Sequence, residues 1–143
     1  MKPQRRRACK VLLVSSDRKI RQQIRQCLLL GEGRGGGGLV VVRHGQDCLA
    51  TMQSERPHVV VLDDALAEID PLTVVRAVHE HLPGTLVIYL ATRHTIELER
   101  AVRQLGVLYY TEKPPDAVLL DRLLKSALGP ASIPTVNLGA SYG

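Results

Sequence analysis

Pro57-His58-Val59-Val60-Val61-Leu62-Asp63-Asp64 runs four consecutive aliphatic residues, three of them β-branched, straight into two carboxylates. Unbroken apolar character, rather than in/out alternation, is what a strand covered on both faces of a parallel sheet requires. Open parallel sheets hold their ligands and do their chemistry just beyond the carboxyl ends of such strands. Asp63 therefore stands where a functional group belongs. The same two acids also suit a turn or a helix cap, so this stretch alone leaves both roles open.

Toward the N-terminus, Lys10-Val11-Leu12-Leu13-Val14 reads as a short buried strand closed by Ser15-Ser16-Asp17, residue types that cap helices. Ile20, Ile24, Cys27 and Leu28 then fall on one face of a helix, with Arg and Gln opposite. Six glycines between Gly31 and Gly38 make a loop; it lacks a Gly-Lys-Ser/Thr ending and follows a helix, which argues against a phosphate-cradling loop. Leu39 to Val42 is the second strand. Asp47 to Ser54 is a short helix burying Leu49 and Met52, and Pro57 opens the third strand.

Toward the C-terminus, Asp70 caps a helix with Pro71 in its first turn, buried through Leu72, Val75, Val78 and Leu82. Leu86 to Ala91 is a fourth buried strand. Leu98, Ala101, Val102 and Leu105 mark a helix stopped by Gly106. Val107 to Tyr110 is the expected fifth strand, ending at Lys113-Pro114-Pro115. A last helix spans Asp116 to Leu128, with Leu120, Leu123, Leu124 and Ala127 facing inward. Strands alternating with helices across short loops specify an α/β sandwich around a parallel sheet.

At 143 residues the chain is sized for one domain. Its core is necessarily aliphatic, with no Phe, no Trp and four Tyr. The organisation expected is a basic arm at 1–8, a folded domain at 9–128 and a flexible tail at 129–143. No run of ~20 apolar residues is present to span a membrane, and the basic N-terminus lacks the apolar segment of a secretory signal. Cys9, Cys27 and Cys48 match no metal spacing and read as reduced, packed thiols of a cytoplasmic protein. Nine basic residues precede residue 26, against one acid, Asp17. Such an arm suits a phosphate backbone or an acidic partner, or is simply solvated. No nucleic-acid motif accompanies it, and the sequence points away from nucleic acid.

Right-handed crossovers leave the carboxyl ends of all the strands on one edge. That edge gathers Ser15, Ser16, Asp17, Asp63, Asp64, Ala91, Thr92 and Lys113. Acids facing one lysine suit a divalent cation and a phosphoryl group, since oxygen ligands fit Mg2+ and an ammonium fits phosphate.

With these anchors in order, the sequence resembles the receiver domain of bacterial two-component response regulators over about residues 9–128. The anchors are Lys-Val-Leu-Leu-Val with its loop, Pro-His-Val-Val-Val-Leu-Asp, and Gly106 followed seven residues later by Lys113-Pro114. The resemblance implies a flavodoxin-like three-layer sandwich with strand order 2-1-3-4-5 and five helices. It implies that Asp63 accepts a phosphoryl group from a histidine kinase or phosphotransfer protein. Lys113 matches the family's lysine, with a cis peptide to Pro114, and Tyr110 matches the aromatic residue that swings inward on activation. The metal ligands would be an acid after strand one (Asp17 here), Asp63 and the carbonyl of Ala65.

The departures are specific. The acidic pair after strand one falls on Ser15 and Ser16. The hydroxyl that closes on the phosphate falls on Ala91, with Thr92 one place later. Asp64 replaces an apolar neighbour, and Ala67 stands where a proline is common. Serine hydroxyls are poor Mg2+ ligands, so weak or absent Mg2+ binding follows, with Lys113 pairing directly with Asp63.

The expected function is therefore a stand-alone phosphorelay receiver, not an enzyme, with Asp63 as a weak or vestigial phosphoacceptor and output through protein contacts. Alternatives are a phosphorylation-independent pseudo-receiver and a basic nucleic-acid-associated adaptor. A flavodoxin-like enzyme is disfavoured: no Gly-rich fingerprint follows strand one, and His44, His58, His79, His81 and His94 look scattered and solvated. The apolar approach to strand five, with Leu108, Tyr109, Arg100 and Arg103 on the fourth-helix and fifth-strand face, is the expected contact for a partner or homodimer.

Overall fold

The computed structural model describes residues 11–30 and 38–128. The expected arm and tail, Cys9, Lys10 and most of the Gly31–Gly38 loop lie outside the described residues.

The apolar run ending at Asp63 is β3 (Val59–Asp63), buried along its whole length. It is flanked by β1 (Val11–Val14) and β4 (Leu86–Ala91), and these by β2 (Leu39–Val42) and β5 (Tyr109–Glu112). All pairings are parallel, in the order β2-β1-β3-β4-β5. A strand with parallel neighbours on both sides and helices on both faces meets no water, which is why β1 and β3 are aliphatic at every position up to their ends.

Strand side chains alternate between two layers. Leu13, Val59, Val61, Ile88 and Leu90 pack under α1 (Arg18–Leu30) and α5 (Ala117–Leu128), meeting Ile20, Ile24, Leu120 and Leu124. Leu12, Val60, Leu62 and Tyr89 face the other way, against α2 (Cys48–Glu55), α3 (Pro71–His81) and α4 (Ile96–Gln104). Burying each large aliphatic chain contributes about 1.5–3 kcal/mol, which lets a core without Phe or Trp hold the sandwich.

The helices begin where their caps predict. Asp17 Oδ1 accepts from the Lys19 N–H at 2.8 Å, Asp70 Oδ1 from Leu72 at 3.0 Å, and Asp116 Oδ1 from Val118 at 2.8 Å. Asp116 is thus outside α5, the cap and not its first residue. Gly106 ends α4 in the left-handed region, at φ 96°, a conformation that costs a side-chain-bearing residue. Gly45 is required for space: a Cβ there would collide with the Ile69 side chain.

Two elements differ from expectation. The second helix is preceded by a 3-10 turn at Gly45–Asp47 and runs Cys48–Glu55; Cys48 and Met52 are its buried residues, while Leu49 is half-buried. The fifth strand is shifted: β5 is Tyr109–Glu112, not Val107 to Tyr110. Val107 is a buried plug in the turn after Gly106, packed in the α2–α4 layer, and Leu108 points to solvent. An edge strand pairs on one side only, so Thr111 and Glu112 can continue it despite their polarity. In α3, Val74 joins Val75 and Val78 in the core, whereas Leu72 is only partly buried. Cys27 and Cys48 are free thiols; burial pushes both upward, Cys48 to about 11, which suits packing and not reactivity.

Candidate functional site

At the carboxyl edge, β3 delivers Asp63 into a position with 1% of its surface exposed. An ionised carboxylate this deep must be compensated, and three donors do so. Lys113 Nζ lies 2.7 Å from Oδ1, and the Ala65 N–H donates to the same oxygen at 3.0 Å. The Ser15 hydroxyl donates to Oδ2 at 2.6 Å. Ser15 is itself fully buried, and its oxygen accepts from the Asp17 N–H at 3.0 Å. With that acceptor role filled, the hydroxyl proton is left for Asp63.

Lys113 reaches the site from the end of β5, where its N–H donates to Ala91 O at 2.8 Å and its peptide bond to Pro114 is cis. Asp17 is less committed. Its Oδ1 caps α1 and its Oδ2 stands 4.0 Å from Lys113 Nζ. Beside Lys113 a crevice of about 560 Å3 opens against α1, lined in part by Ile20, Gln23, Thr92 and Pro114.

Asp64 does not turn toward Asp63. Its Oδ1 accepts from the Thr92 N–H at 2.8 Å and its Oδ2 from the Tyr89 hydroxyl at 3.0 Å, fastening the ends of β3 and β4 together. Burial and the neighbouring Asp64 carboxylate push the Tyr89 phenol well above its ordinary range. Thr92 is exposed, and its contribution here is a backbone one.

Tyr110 stacks on Tyr89 with ring centroids 5.6 Å apart and planes 10° from parallel. Its hydroxyl meets His94 Nδ1 at 2.9 Å, and His94 Nε2 lies 4.0 Å from Glu99. His94 and His44 are both exposed, as solvated residues should be, yet each meets a partner from another element, His44 lying 3.5 Å from Glu68. Single histidines with no motif spacing carry no signal of a partner contributed by another element.

The site thus brings together Asp63, Lys113 and the Ala65 backbone, with Asp17 at its margin, and places Thr92 and Tyr110 on the β4 side. Ser15 as a donor and the Asp64–Tyr89 contact were missed; the apolar neighbours of Tyr89 disguise a buried phenol, and nothing in the sequence pairs residues 15 and 63. Receiver domains generally bind Mg2+ in an acidic pocket. Mg2+ asks for near-octahedral oxygen ligation with carboxylates, whereas Asp63 already accepts three donors. Among the described residues, no three His, Cys, Asp or Glu side chains are grouped to hold a metal.

Comparison with known proteins agrees with this geometry. The response regulator receiver domain family model matches residues 11–125. The chain belongs to that family. It is 35% identical over 127 residues to the response regulator protein FleR of Pseudomonas aeruginosa, and 28% identical over 113 residues to a protein-glutamate methylesterase/protein-glutamine glutaminase of Rhodospirillum rubrum. Those matches take in 85% and 78% of this chain but 25% and 30% of the relatives, so the chain spans less than a third of their length. Among solved structures, the receiver domain protein from Methanospirillum hungatei aligns with a TM-score of 0.75 at 20% identity, covering 85% of this chain and 94% of that one. The BeF3-activated DrrB receiver domain aligns at 0.73 with 26% identity, covering 85% and 98%. The receiver is a signalling module of two-component systems that works with histidine kinases or phosphotransfer proteins. No described helix is long and apolar enough to cross a membrane.

Proposed function

We propose that this chain is a phosphorelay receiver in which Asp63 is a weak phosphoacceptor and output runs through protein contacts. The observation that carries the reading is the occupancy of the Asp63 carboxylate by Ser15, Lys113 and the Ala65 N–H. Transfer would form a bond from an Asp63 oxygen to phosphorus and release the donor's leaving group, acetate in the case of acetyl phosphate. That oxygen must first give up a hydrogen bond, and without the usual acids the incoming charge is met mainly by Lys113. Mg2+ binding is weak for the same reason.

The test is intact-mass measurement after incubation with acetyl phosphate and Mg2+, comparing the native chain, Asp63→Asn, and Ser15→Asp with Ser16→Asp. The native chain should gain a small phosphorylated fraction that Asp63→Asn loses and the double substitution enlarges. Full phosphorylation of the native chain would overturn the weak-acceptor reading. Phosphorylation surviving in Asp63→Asn would overturn the assignment of Asp63.

Output is assigned to the α4–β5 face, for a partner protein or a second copy. Leu108 is 66% exposed there and Arg100 is exposed on α4, with no ion pair to a described residue. Arg103 and Tyr109 are already tied inward, Arg103 to Glu99 and to the Leu108 carbonyl, Tyr109 to Ser126. Leu108 and Arg100 are therefore the groups left to a partner.

A further inference from the structure

We infer that Asp64 is an anionic clasp that fixes the segment between β4 and α4, and through it the α4–β5 face, whatever charge Asp63 carries. The inference rests on the assignment of output to that face.

Residues 92–95 link the end of β4 to Thr95, the N-cap of α4. They belong to no helix or strand, yet they are held at two points. Asp64 Oδ1 accepts from the Thr92 N–H at 2.8 Å, and the Tyr110 hydroxyl meets His94 Nδ1 at 2.9 Å. Both holds lead back to one aromatic pair. Tyr89 donates its hydroxyl to Asp64 Oδ2 at 3.0 Å, and the Tyr110 ring is stacked on the Tyr89 ring. With one oxygen on a strand hydroxyl and the other on a loop N–H, Asp64 ties β4 to the segment beyond it. Hydrogen bonds to an ionised acceptor are roughly twice as strong as neutral ones. A neutral residue at 64 would not hold the segment equally well.

The packing of α4 makes this clasp decisive. Val102 is the one buried residue of α4, whereas each of the other helices buries at least two. An element with few buried apolar contacts opens and shifts locally at little cost, so what holds the ends of α4 sets its position. From α4 the position passes to the output residue, because Arg103 Nη1 donates to the Leu108 carbonyl at 3.0 Å. Asp63 lacks this reach. Its three donors, Ser15, Lys113 and the Ala65 N–H, make no hydrogen bond to residues 92–95. Ala91, the last residue of β4, offers no polar side chain to answer it.

The experiment is amide hydrogen exchange of the full chain followed by NMR, referenced to the β1 and β3 amides, which report global opening. Asp64→Ala should speed exchange at Thr92 by about tenfold or more, and at Arg100–Gln104 of α4 by at least about threefold. Asp64→Asn keeps an acceptor oxygen without the charge and should fall between Asp64→Ala and the native chain. Tyr89→Phe keeps the ring stack, removes the hydroxyl and should loosen α4 in the same direction, which covers an Asp64→Ala chain that does not fold. Asp63→Asn should leave the referenced α4 rates within about twofold of native. Faster exchange confined to Thr92 would make Asp64 a local tie and overturn the inference. Loosening of α4 in Asp63→Asn as large as in Asp64→Ala would overturn it too. The rates are read without phosphorylation or a partner, so failure here is distinct from failure of the Asp63 or Leu108 assignments.

Discussion

Ser15 Oγ and Asp63 Oδ2, 48 residues apart in the chain, lie 2.6 Å from each other in the buried end of the sheet. The contact exists because β1 and β3 are adjacent and in register, with Val14 opposite Leu62. It puts a neutral hydroxyl against Asp63 where an acid would repel it. Ser15→Ala should destabilise the fold by about 1–3 kcal/mol, the cost of leaving a buried acceptor short of a donor, as read from urea unfolding. An unchanged midpoint would show that Asp63 does not depend on this bond.

Restoring acids should have two opposite effects. Ser15→Asp with Ser16→Asp is expected to strengthen Mg2+ binding in calorimetric titration. In the metal-free state the same change should lower stability by about 1 kcal/mol or more, because the new carboxylates crowd Asp63. Tight, micromolar binding by the native chain would contradict the first expectation.

Lys113 is the one cation touching Asp63 among the described residues, and only 14% of its side chain is exposed. Removing one member of such a pair leaves an uncompensated charge. Lys113→Met should therefore cost about 3–5 kcal/mol. Asp63→Asn combined with Lys113→Met should cost less than the sum of the single changes. Strict additivity in this double-mutant cycle would mean that the pair contributes no coupling.

Alkaline pH should weaken the fold. The Cys48 thiol and the Tyr89 phenol are both raised by burial. In each case the unfolded chain loses its proton first, so the unfolded state binds fewer protons and stability falls as pH rises. The loss should begin near pH 9.0 for Cys48, continuing toward its folded value of about 11, and from pH 10.0 for Tyr89. Cys48→Ala should reduce the first part of the slope, the raised Cys27 thiol keeping a remainder, and Tyr89→Phe should reduce the second, each at some cost at neutral pH. A flat profile up to pH 10 in the native chain would exclude the Cys48 contribution.

Leu108→Glu tests the output face. Because Leu108 is exposed and makes only a backbone contact with Arg103, the substitution should leave the melting temperature within about 2 °C. It should nevertheless abolish self-association or partner capture, as followed by sedimentation. A native chain and variant that behave identically would place output elsewhere.

Much of this protein was legible from residue order alone, because its strongest signals are local. Continuous aliphatic runs ending in Asp63 and in Ser15 name buried parallel strands, since no other environment tolerates them. Asp17, Asp70 and Asp116 announce helix starts through bonds to their own neighbours, and Lys113 is marked by its place between strand and proline. The limits of β5 were misread because an edge strand is defined by pairing with β4, not by its own polarity.

The rest was decided only in three dimensions. Which donor meets the second oxygen of Asp63, that Asp64 is taken up by Tyr89 and the Thr92 backbone, and that Tyr110 rests on Tyr89 and His94 are contacts between separate elements. Each requires the register of two strands, and register is set by the packing of both faces of the sheet at once. The exposed basic stripe on α1 is of the same kind. The sequence determined how many cations it carries; the burial of Ile20 and Ile24 determined that they stand together, facing water on a helix that holds no acid.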